Sequence, residues 1–237
     1  MGNSPPSSVT SSDRAHNSDT AVIIPVYNEA AVIGDVVAGV LEHFPYVVCV
    51  DDGSTDESAV ILSKTNVRLV RHPINVGQGA ALQTGIEYAL LDPQIRYLVT
   101  YDADGQHRLE DALSLVQLLR DDGLDIVFGS RFLDQRTQMS VLKRIVLRTA
   151  VAYTNVTSGI HLTDAHNGLR AFTVDVGRQL HLRQSGMAHA SEIIERVADR
   201  KFRFKEAPVE ILYTDYSRSK GQSVLNSVNI LFDLLFR

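Results

Sequence analysis

Two aspartates one residue apart, Asp102 and Asp104, are the strongest chemical feature of the sequence. They follow an apolar run and precede a turn, so both carboxylates are expected to project together from the end of a strand. Carboxylate oxygens at this spacing suit a hard divalent cation such as Mg²⁺ or Mn²⁺. Such an ion would bridge the oxygens of a diphosphate and neutralise its charge as it leaves. The pattern therefore predicts a metal site, and the alternative is a solvated turn.

Two further segments suit a phosphate ligand. The turn Asn75-Val76-Gly77-Gln78-Gly79 opens a helix, and its backbone amides can approach a phosphate. Tight packing of the helix start explains Gly77 and Gly79 equally well. Arg218 lies in a polar stretch before the last helix, where a basic residue on a mobile loop can close over a diphosphate. The alternative for Arg218 is a solvated, charged loop.

The pattern of apolar residues predicts the elements that position these groups. Short continuous apolar runs alternate with helical spacing, which is typical of a buried, mainly parallel sheet with helices on both faces. The predicted strands are Ala21–Val26, Val47–Val50, Val67–Val70, Tyr97–Tyr101 and Ile126–Phe128, and the predicted helices are Glu29–Leu41, Gly79–Leu91 and Leu109–Leu119. Ligands of such α/β sheets bind beyond the carboxyl ends of the strands. The polar motifs that follow the strands are therefore expected to converge on one site.

The second half of the sequence is less regular. Val141–Tyr153 has helical character without a clean apolar face, and Glu192–Ala198 is a second predicted helix. Phe202–Tyr213 is expected to hold one or two strands around Pro208. An amphipathic helix is predicted at about 223–236. Asp164 is an isolated carboxylate that we expect to pair with a nearby arginine, and the histidines of this half lack metal-ligand spacing.

Composition sets the domain organisation and excludes several classes of protein. The chain has 237 residues, a net charge of -5 and 44% hydrophobic residues, which is typical of a globular protein. Residues 1–19 are polar and are predicted to form a disordered tail, and residues 20–237 a single domain. The mild acidity argues against a nucleic-acid-binding surface. The single cysteine, Cys49, excludes an intramolecular disulfide. The absence of an apolar stretch of about 18 residues and of a signal peptide predicts a cytoplasmic protein.

Four motifs in a fixed order resemble glycosyltransferase family 2. They are Ile24-Pro25-Val26-Tyr27-Asn28-Glu29, Val50-Asp51-Asp52-Gly53-Ser54-Thr55-Asp56, Asn75-Val76-Gly77-Gln78-Gly79 and Asp102-Ala103-Asp104-Gly105-Gln106-His107. Within that family, further segments are most similar to the dolichyl- or polyprenyl-phosphate hexose synthases. These segments are Gly129-Ser130-Arg131, Asp164 to Arg170, Glu192 and the spacing of Arg218, Gly221 and Ser223. The resemblance covers residues 21 to about 225.

The resemblance implies the GT-A nucleotide-sugar fold and an inverting transfer. It implies that four residues surround the base and the ribose of the donor, namely Pro25, Tyr27, Glu29 and Asp52. It also implies a metal held by Asp102, Asp104 and Gln106, with Arg218 on the donor diphosphate and Arg131 near an acceptor phosphate. Gln78 departs from the family pattern, because many relatives carry a basic residue there.

The acceptor decides whether the reaction needs a base. A phosphate acceptor is already anionic near neutral pH, since its second pKa is about 6. A sugar hydroxyl needs a general base, for which Asp164 and Glu192 are the candidates. The predicted function is metal-dependent transfer of a hexose from a UDP- or GDP-sugar to a polyprenyl phosphate. The alternatives are a saccharide acceptor in polysaccharide assembly and, more remotely, a non-catalytic nucleotide-sugar-binding scaffold.

The predicted final helix bears on partners and location. Its apolar stripe includes Phe232 and Phe236, and it can lie on a membrane surface or dock a small membrane protein. Packing against the domain or against a second copy of the chain, as a homodimer, is the alternative. We expect a protein at the cytoplasmic face of the membrane.

Overall fold

The computed structural model describes residues 16–134, 136–137 and 141–212. Residues 1–15, which are most of the predicted tail, lie outside the described residues. So do Arg218 and the predicted helix at about 223–236.

Seven strands form one central sheet, in the spatial order β3-β2-β1-β4-β6-β5-β7. The strands are β1 (Thr20–Val26), β2 (Tyr46–Asp51), β3 (Arg68–Arg71), β4 (Tyr97–Thr100), β5 (Ile126–Ser130), β6 (Arg170–Thr173) and β7 (Phe204–Pro208). All neighbouring strands are parallel except β6, which is antiparallel to both β4 and β5. The mainly parallel α/β sheet that the apolar runs predict is confirmed.

Helices cover both faces of this sheet, as predicted. They are α1 (Ile33–His43), α2 (Ser58–Leu62), α3 (Gln78–Ala89), α4 (Leu109–Asp121), α5 (Val141–Ser158), α6 (Val174–Leu180) and α7 (His189–Arg200). Successive side chains of β1 alternate between the two faces, as the pleat of a strand requires. Ile24 packs in the core under α1 and α4, whereas Ile23 packs in the core under α3 and α7.

The N-terminal edge of the fold begins inside the segment predicted as a tail. Asn17 is buried, and the guanidinium of Arg120 on α4 donates to the side chains of both Asn17 and Asp19. These contacts fasten the chain just before β1. The packed region therefore includes residues 16–19.

Helix α5 carries apolar residues on both its buried and its exposed side, which is why its sequence shows no clean apolar face. Leu147 and Val151 are buried against the domain, yet apolar residues also occupy the outer side. Val141, Ile145 and Val156 are 75%, 57% and 84% exposed. No described helix combines the length and the apolar character that crossing a bilayer requires.

Candidate active site

A cleft of about 410 Å³ opens at the carboxyl ends of β1, β2 and β4. Residues from all of the predicted polar motifs of this half of the chain line it, so the expected convergence is observed. Seven of the predicted site residues are among the lining residues: Pro25, Tyr27, Glu29, Asp52, Gly77, Asp102 and Asp104. One wall comes from the turn after β1, and the floor comes from the turn after β4.

The turn after β4 fixes the orientation of the two aspartates. Asp102 accepts a hydrogen bond from His107 Nε2 at 2.9 Å and another from Gln78 Nε2 at 3.1 Å. Asp104 accepts a hydrogen bond from the backbone N–H of Gln106 at 3.0 Å. Gly105 adopts a φ of 72°, a backbone conformation that residues with a side chain rarely adopt. The glycine therefore permits this tight turn. The two carboxylates are thereby held together at the floor of the cleft.

The electrostatics of the pair fit a bound cation. Burial and the negative charge of Asp102 raise the pKa of Asp104 to about 6. Burial acts in the same direction on Asp102, but the His107 hydrogen bond and the charge of Arg170 outweigh it and hold the pKa of Asp102 below its usual range. Two carboxylates that repel each other in a buried cleft gain stability when a divalent cation lies between them.

The described residues alone do not complete a coordination sphere. Within the described ranges, no three His, Cys, Asp or Glu side chains come together in an arrangement that can hold a metal ion. Gln106 is buried and is not among the residues that line the cleft. Its role as a third metal ligand stays a prediction, and its backbone N–H is what contacts Asp104.

The carboxylate of Asp52 binds the backbone of the glycine-rich turn. It accepts from the N–H groups of Val76 and Gly77 at 3.0 and 2.8 Å, and from His72 Nδ1 at 2.7 Å. The N–H of Gly79 donates to the carbonyl of Ser185 at 2.7 Å. Both glycine amides are therefore engaged within the protein, which differs from the predicted approach to a phosphate.

Close packing accounts for the two glycines of this turn. A Cβ on Gly77 would lie 2.8 Å from the carbonyl carbon of Ser185, and one on Gly79 would lie 2.8 Å from the Cβ of His189. Gly77 also has a φ of 103°. The helix start needs glycine so that residues 184–189 can lie against it, which was the alternative explanation for the motif.

Arg131 and Asp164 form a buried, two-point ion pair. Arg131 Nε and Nη2 donate to the Asp164 carboxylate at 2.6 and 2.7 Å, and Asp164 is 1% exposed. Burial is outweighed by the charge and hydrogen bonds of Arg131, which keep the pKa of Asp164 below its usual range. Asp164 does not line the cleft. It therefore positions Arg131, in line with its predicted pairing with an arginine, and its role as a general base stays a prediction.

Glu192 is held by contacts with a backbone loop, and its role as a base stays a prediction. Its carboxylate is buried and accepts from the backbone N–H groups of Arg183 and Gln184, each at 2.9 Å from Oε2. It does not line the cleft. Glu192 instead holds residues 183–187 against the glycine-rich turn, so that Met187 forms part of the cleft wall.

We expect Glu192→Gln to retain most of the transfer activity, with kcat reduced less than about tenfold. The amide oxygen can accept both backbone N–H groups at the Oε2 position, whereas a general base would lose its proton-accepting group and cost about 10²–10⁴-fold. Steady-state release of nucleoside diphosphate measures the difference. Glu192→Ala is the matched variant, which removes the loop contact and should impair activity more; a reversed order would contradict this role.

Three ionisable residues that line the cleft were not among the predicted site residues. Arg170, the first residue of β6, lies at the floor although it is 1% exposed. His166 and His189 also line the cleft, and burial lowers the pKa of each to about 4, so both imidazoles are neutral near pH 7. The available signal was that Arg170 ends the segment Asp164 to Arg170, which carries part of the family resemblance.

Comparison with known sequences identifies relatives of the chain. The sequence profile described as Glycosyl transferase family 2 matches residues 21–178. The UDP-N-acetylglucosamine--dolichyl-phosphate N-acetylglucosaminyltransferase of Methanococcus voltae is 31% identical, over 90% of this chain and 94% of that protein. A dolichyl-phosphate hexose transferase of Haloferax volcanii is 28% identical, over 81% of this chain and 82% of its own length.

Comparison with solved structures supports the fold. Glucosyl-3-phosphoglycerate synthase from Mycobacterium tuberculosis, crystallised with Mn²⁺, UDP and glucosyl-3-phosphoglycerate, superposes with a TM-score of 0.68. The alignment covers 99% of this chain and 86% of that one, at 16% sequence identity. At this level of identity the similarity identifies the GT-A fold, as predicted.

Proposed function

Since the chain belongs to glycosyl transferase family 2, we propose that it transfers a hexose from a nucleotide sugar to a polyprenyl phosphate, with inversion at the anomeric carbon. The observation that carries this proposal is the cleft itself. Tyr27 and Asp52, which are predicted to contact the base and the ribose of the donor, line the same cleft as Asp102 and Asp104. A nucleotide sugar bound against Tyr27 and Asp52 would direct its diphosphate towards Asp102 and Asp104.

The donor end of the cleft would hold Mg²⁺ or Mn²⁺ on Asp102 and Asp104. The metal would neutralise the negative charge that develops on the departing nucleoside diphosphate. Support comes from the mutual repulsion of the two carboxylates and from the structural neighbours that were crystallised with Mn²⁺ or Mg²⁺ and UDP. Arg218 is proposed to contact the diphosphate, although it lies outside the described residues.

The positions of the two candidate bases support a phosphate acceptor rather than a sugar hydroxyl. Asp164 is bound to Arg131, and Glu192 is bound to a backbone loop. Neither candidate base faces the cleft, and an anionic phosphate oxygen needs no base to attack the anomeric carbon. Relatives named as dolichyl-phosphate transferases support the same acceptor class.

We propose a peripheral location at the cytoplasmic face of the membrane. A polyprenyl phosphate is a membrane lipid, so its phosphate must be reached from the bilayer surface. The outer face of α5 offers exposed Val141, Ile145 and Val156 beside exposed Arg144 and Arg148. Apolar residues beside arginines suit the interface of an anionic bilayer.

The test is release of nucleoside diphosphate from a panel of UDP- and GDP-sugars with Mn²⁺, in the presence and absence of a short polyprenyl phosphate. We expect one donor to be turned over only when the lipid phosphate is present, with labelled sugar recovered in the organic extract. Release that ignores the lipid but responds to an oligosaccharide would move the proposal to a saccharide acceptor. Binding of a nucleotide sugar with no turnover for any pair would favour a scaffold.

A further inference from the structure

Arg170 occupies the floor of the cleft without serving a structural contact there. Its backbone is fixed by the sheet, because Arg170 is paired with Thr100 in the antiparallel β4–β6 register. Among the described residues that line the cleft, it is the only arginine or lysine, whereas the acidic residues there number four. These are Glu29, Asp52, Asp102 and Asp104.

The guanidinium of Arg170 is buried and unpaired. Its Nε and Nη1 atoms have no hydrogen-bond partner within the described chain, and the residue is 1% exposed. Asp102 and Asp164 are close enough to attract it electrostatically, but neither accepts a hydrogen bond from it. A buried cation without hydrogen bonds destabilises a fold, so its retention points to a ligand that completes its contacts.

Arg131 differs from Arg170 because its guanidinium is paired with a carboxylate of the protein. Two nitrogens of Arg131 are already engaged by Asp164 at 2.6 and 2.7 Å. His166 and His189, which also line the cleft, are neutral near pH 7. The positive charge at the floor of the cleft is therefore supplied by Arg170.

We propose that Arg170 is a substrate-binding residue that donates its N–H groups to a phosphate group bound in the cleft. A planar guanidinium matches the oxygens of a phosphate and binds two of them at once. This proposal rests on the glycosyl transfer proposed above, in which two substrates carry phosphate. One is the nucleotide sugar with its diphosphate, and the other is the polyprenyl phosphate, and the experiment separates them.

The first experiment compares Arg170→Gln and Arg170→Lys with the exposed control Arg178→Gln. Calorimetry measures the Kd of UDP and of GDP with Mn²⁺, and steady-state assays measure the KM of a short polyprenyl phosphate at saturating donor. Loss of a charged hydrogen bond corresponds to about 10- to 100-fold. We expect Arg170→Gln to weaken one of these two affinities by that factor, Arg170→Lys to recover part of it, and Arg178→Gln to change neither.

The affected constant identifies the source of the phosphate. A higher nucleotide Kd assigns Arg170 to the donor, and a higher KM for the polyprenyl phosphate alone assigns it to the acceptor. Unchanged constants in a folded Arg170→Gln variant would overturn the proposal.

A second experiment uses the unmodified chain, in case the variants do not fold. The buried Nε–H of Arg170 is followed by ¹⁵N NMR while UDP or GDP with Mg²⁺, the short polyprenyl phosphate, or inorganic phosphate is added. A shift of this resonance on saturation with either substrate supports the proposal, and saturation with both substrates without a shift overturns it. Transfer activity without a shift would reject the role of Arg170 alone. A shift on adding nucleotide in a protein with no transfer activity would reject the proposed function alone.

Discussion

Asp104→Asn is expected to reduce metal-dependent release of nucleoside diphosphate by about 10³-fold, which corresponds to several kcal/mol of lost stabilisation of the leaving group. The amide keeps the shape of the side chain but removes one of the two negative charges at the floor of the cleft. The remaining carboxylate, Asp102, is already hydrogen-bonded by His107 and Gln78. The assay is turnover of the active donor across a titration of Mn²⁺.

The same substitution is expected to raise the stability of the metal-free protein. The folded-state pKa of Asp104 is raised to about 6, so its carboxyl favours the folded state below the unfolded pKa near 3.8 and loses that contribution as the pH rises through about 6. Near pH 7.5 the ionised group therefore opposes folding, and Asp104→Asn removes that repulsion. Thermal melting should show a higher Tm without metal and a smaller increase on adding Mn²⁺ than in the unmodified protein.

The control for Asp104→Asn is Asp199→Asn at the exposed end of α7, which should alter neither activity nor the response to Mn²⁺. Near-normal turnover by Asp104→Asn with an unchanged metal requirement would remove Asp104 from the metal site. The opposing effects on activity and on stability distinguish loss of a functional charge from general damage to the fold.

Gly168→Ala is expected to lower kcat/KM by about 100-fold although it adds a single methyl group. A Cβ on Gly168 would lie 2.6 Å from Cγ of Asp102, which is too close for two carbon atoms that are not bonded. Gly168 is held in place because its carbonyl accepts from Thr100 Oγ1 at 2.6 Å. Asp102 must therefore rotate away and give up its hydrogen bonds to His107 and Gln78.

Gly39→Ala is the matched control for Gly168→Ala. Gly39 lies in α1 with nothing within 4 Å of an added Cβ, so alanine should leave activity unchanged and stabilise the helix by up to about 1 kcal/mol. Activity and Tm are measured for both variants. Normal activity in Gly168→Ala would mean that the position of Asp102 is not critical, which would weaken the metal assignment as well.

The sequence predicts the N-terminal part of this protein, up to β5, well because its signals are local. Strands β1, β2 and β4 are mainly apolar runs, and polar motifs follow where these runs end. The parallel order of these three strands therefore brings Asp52 and Asp104 to one cleft. The match of Ala21–Val26 to β1 and of Leu109–Leu119 to α4 is accurate to two residues at each end.

The part of the chain after β5 depends on contacts between distant segments, which a single sequence does not reveal. Strand β6 was missed because Arg170–Thr173 is four residues long and starts with a charge, and pairing on both sides, with β4 and β5, is what makes it a strand. The residue type of Glu192 alone cannot distinguish a general base from a carboxylate that binds a loop. Its contacts with two backbone amides of a loop arise only when folding brings that loop to it.

The reversed direction of β6 has a consequence for how such proteins can diverge. Phe128 near the end of β5 is paired with Arg170 at the start of β6, so the segment between these strands leaves and re-enters the sheet at one place. Lengthening such an excursion costs little, about 0.6 kcal/mol for each doubling of its length. Insertions between β5 and β6 that keep the buried residues of α5, such as Leu147 and Val151, are therefore expected to leave the sheet intact. The chain can thus change the length of this one excursion without a change in the order of the strands.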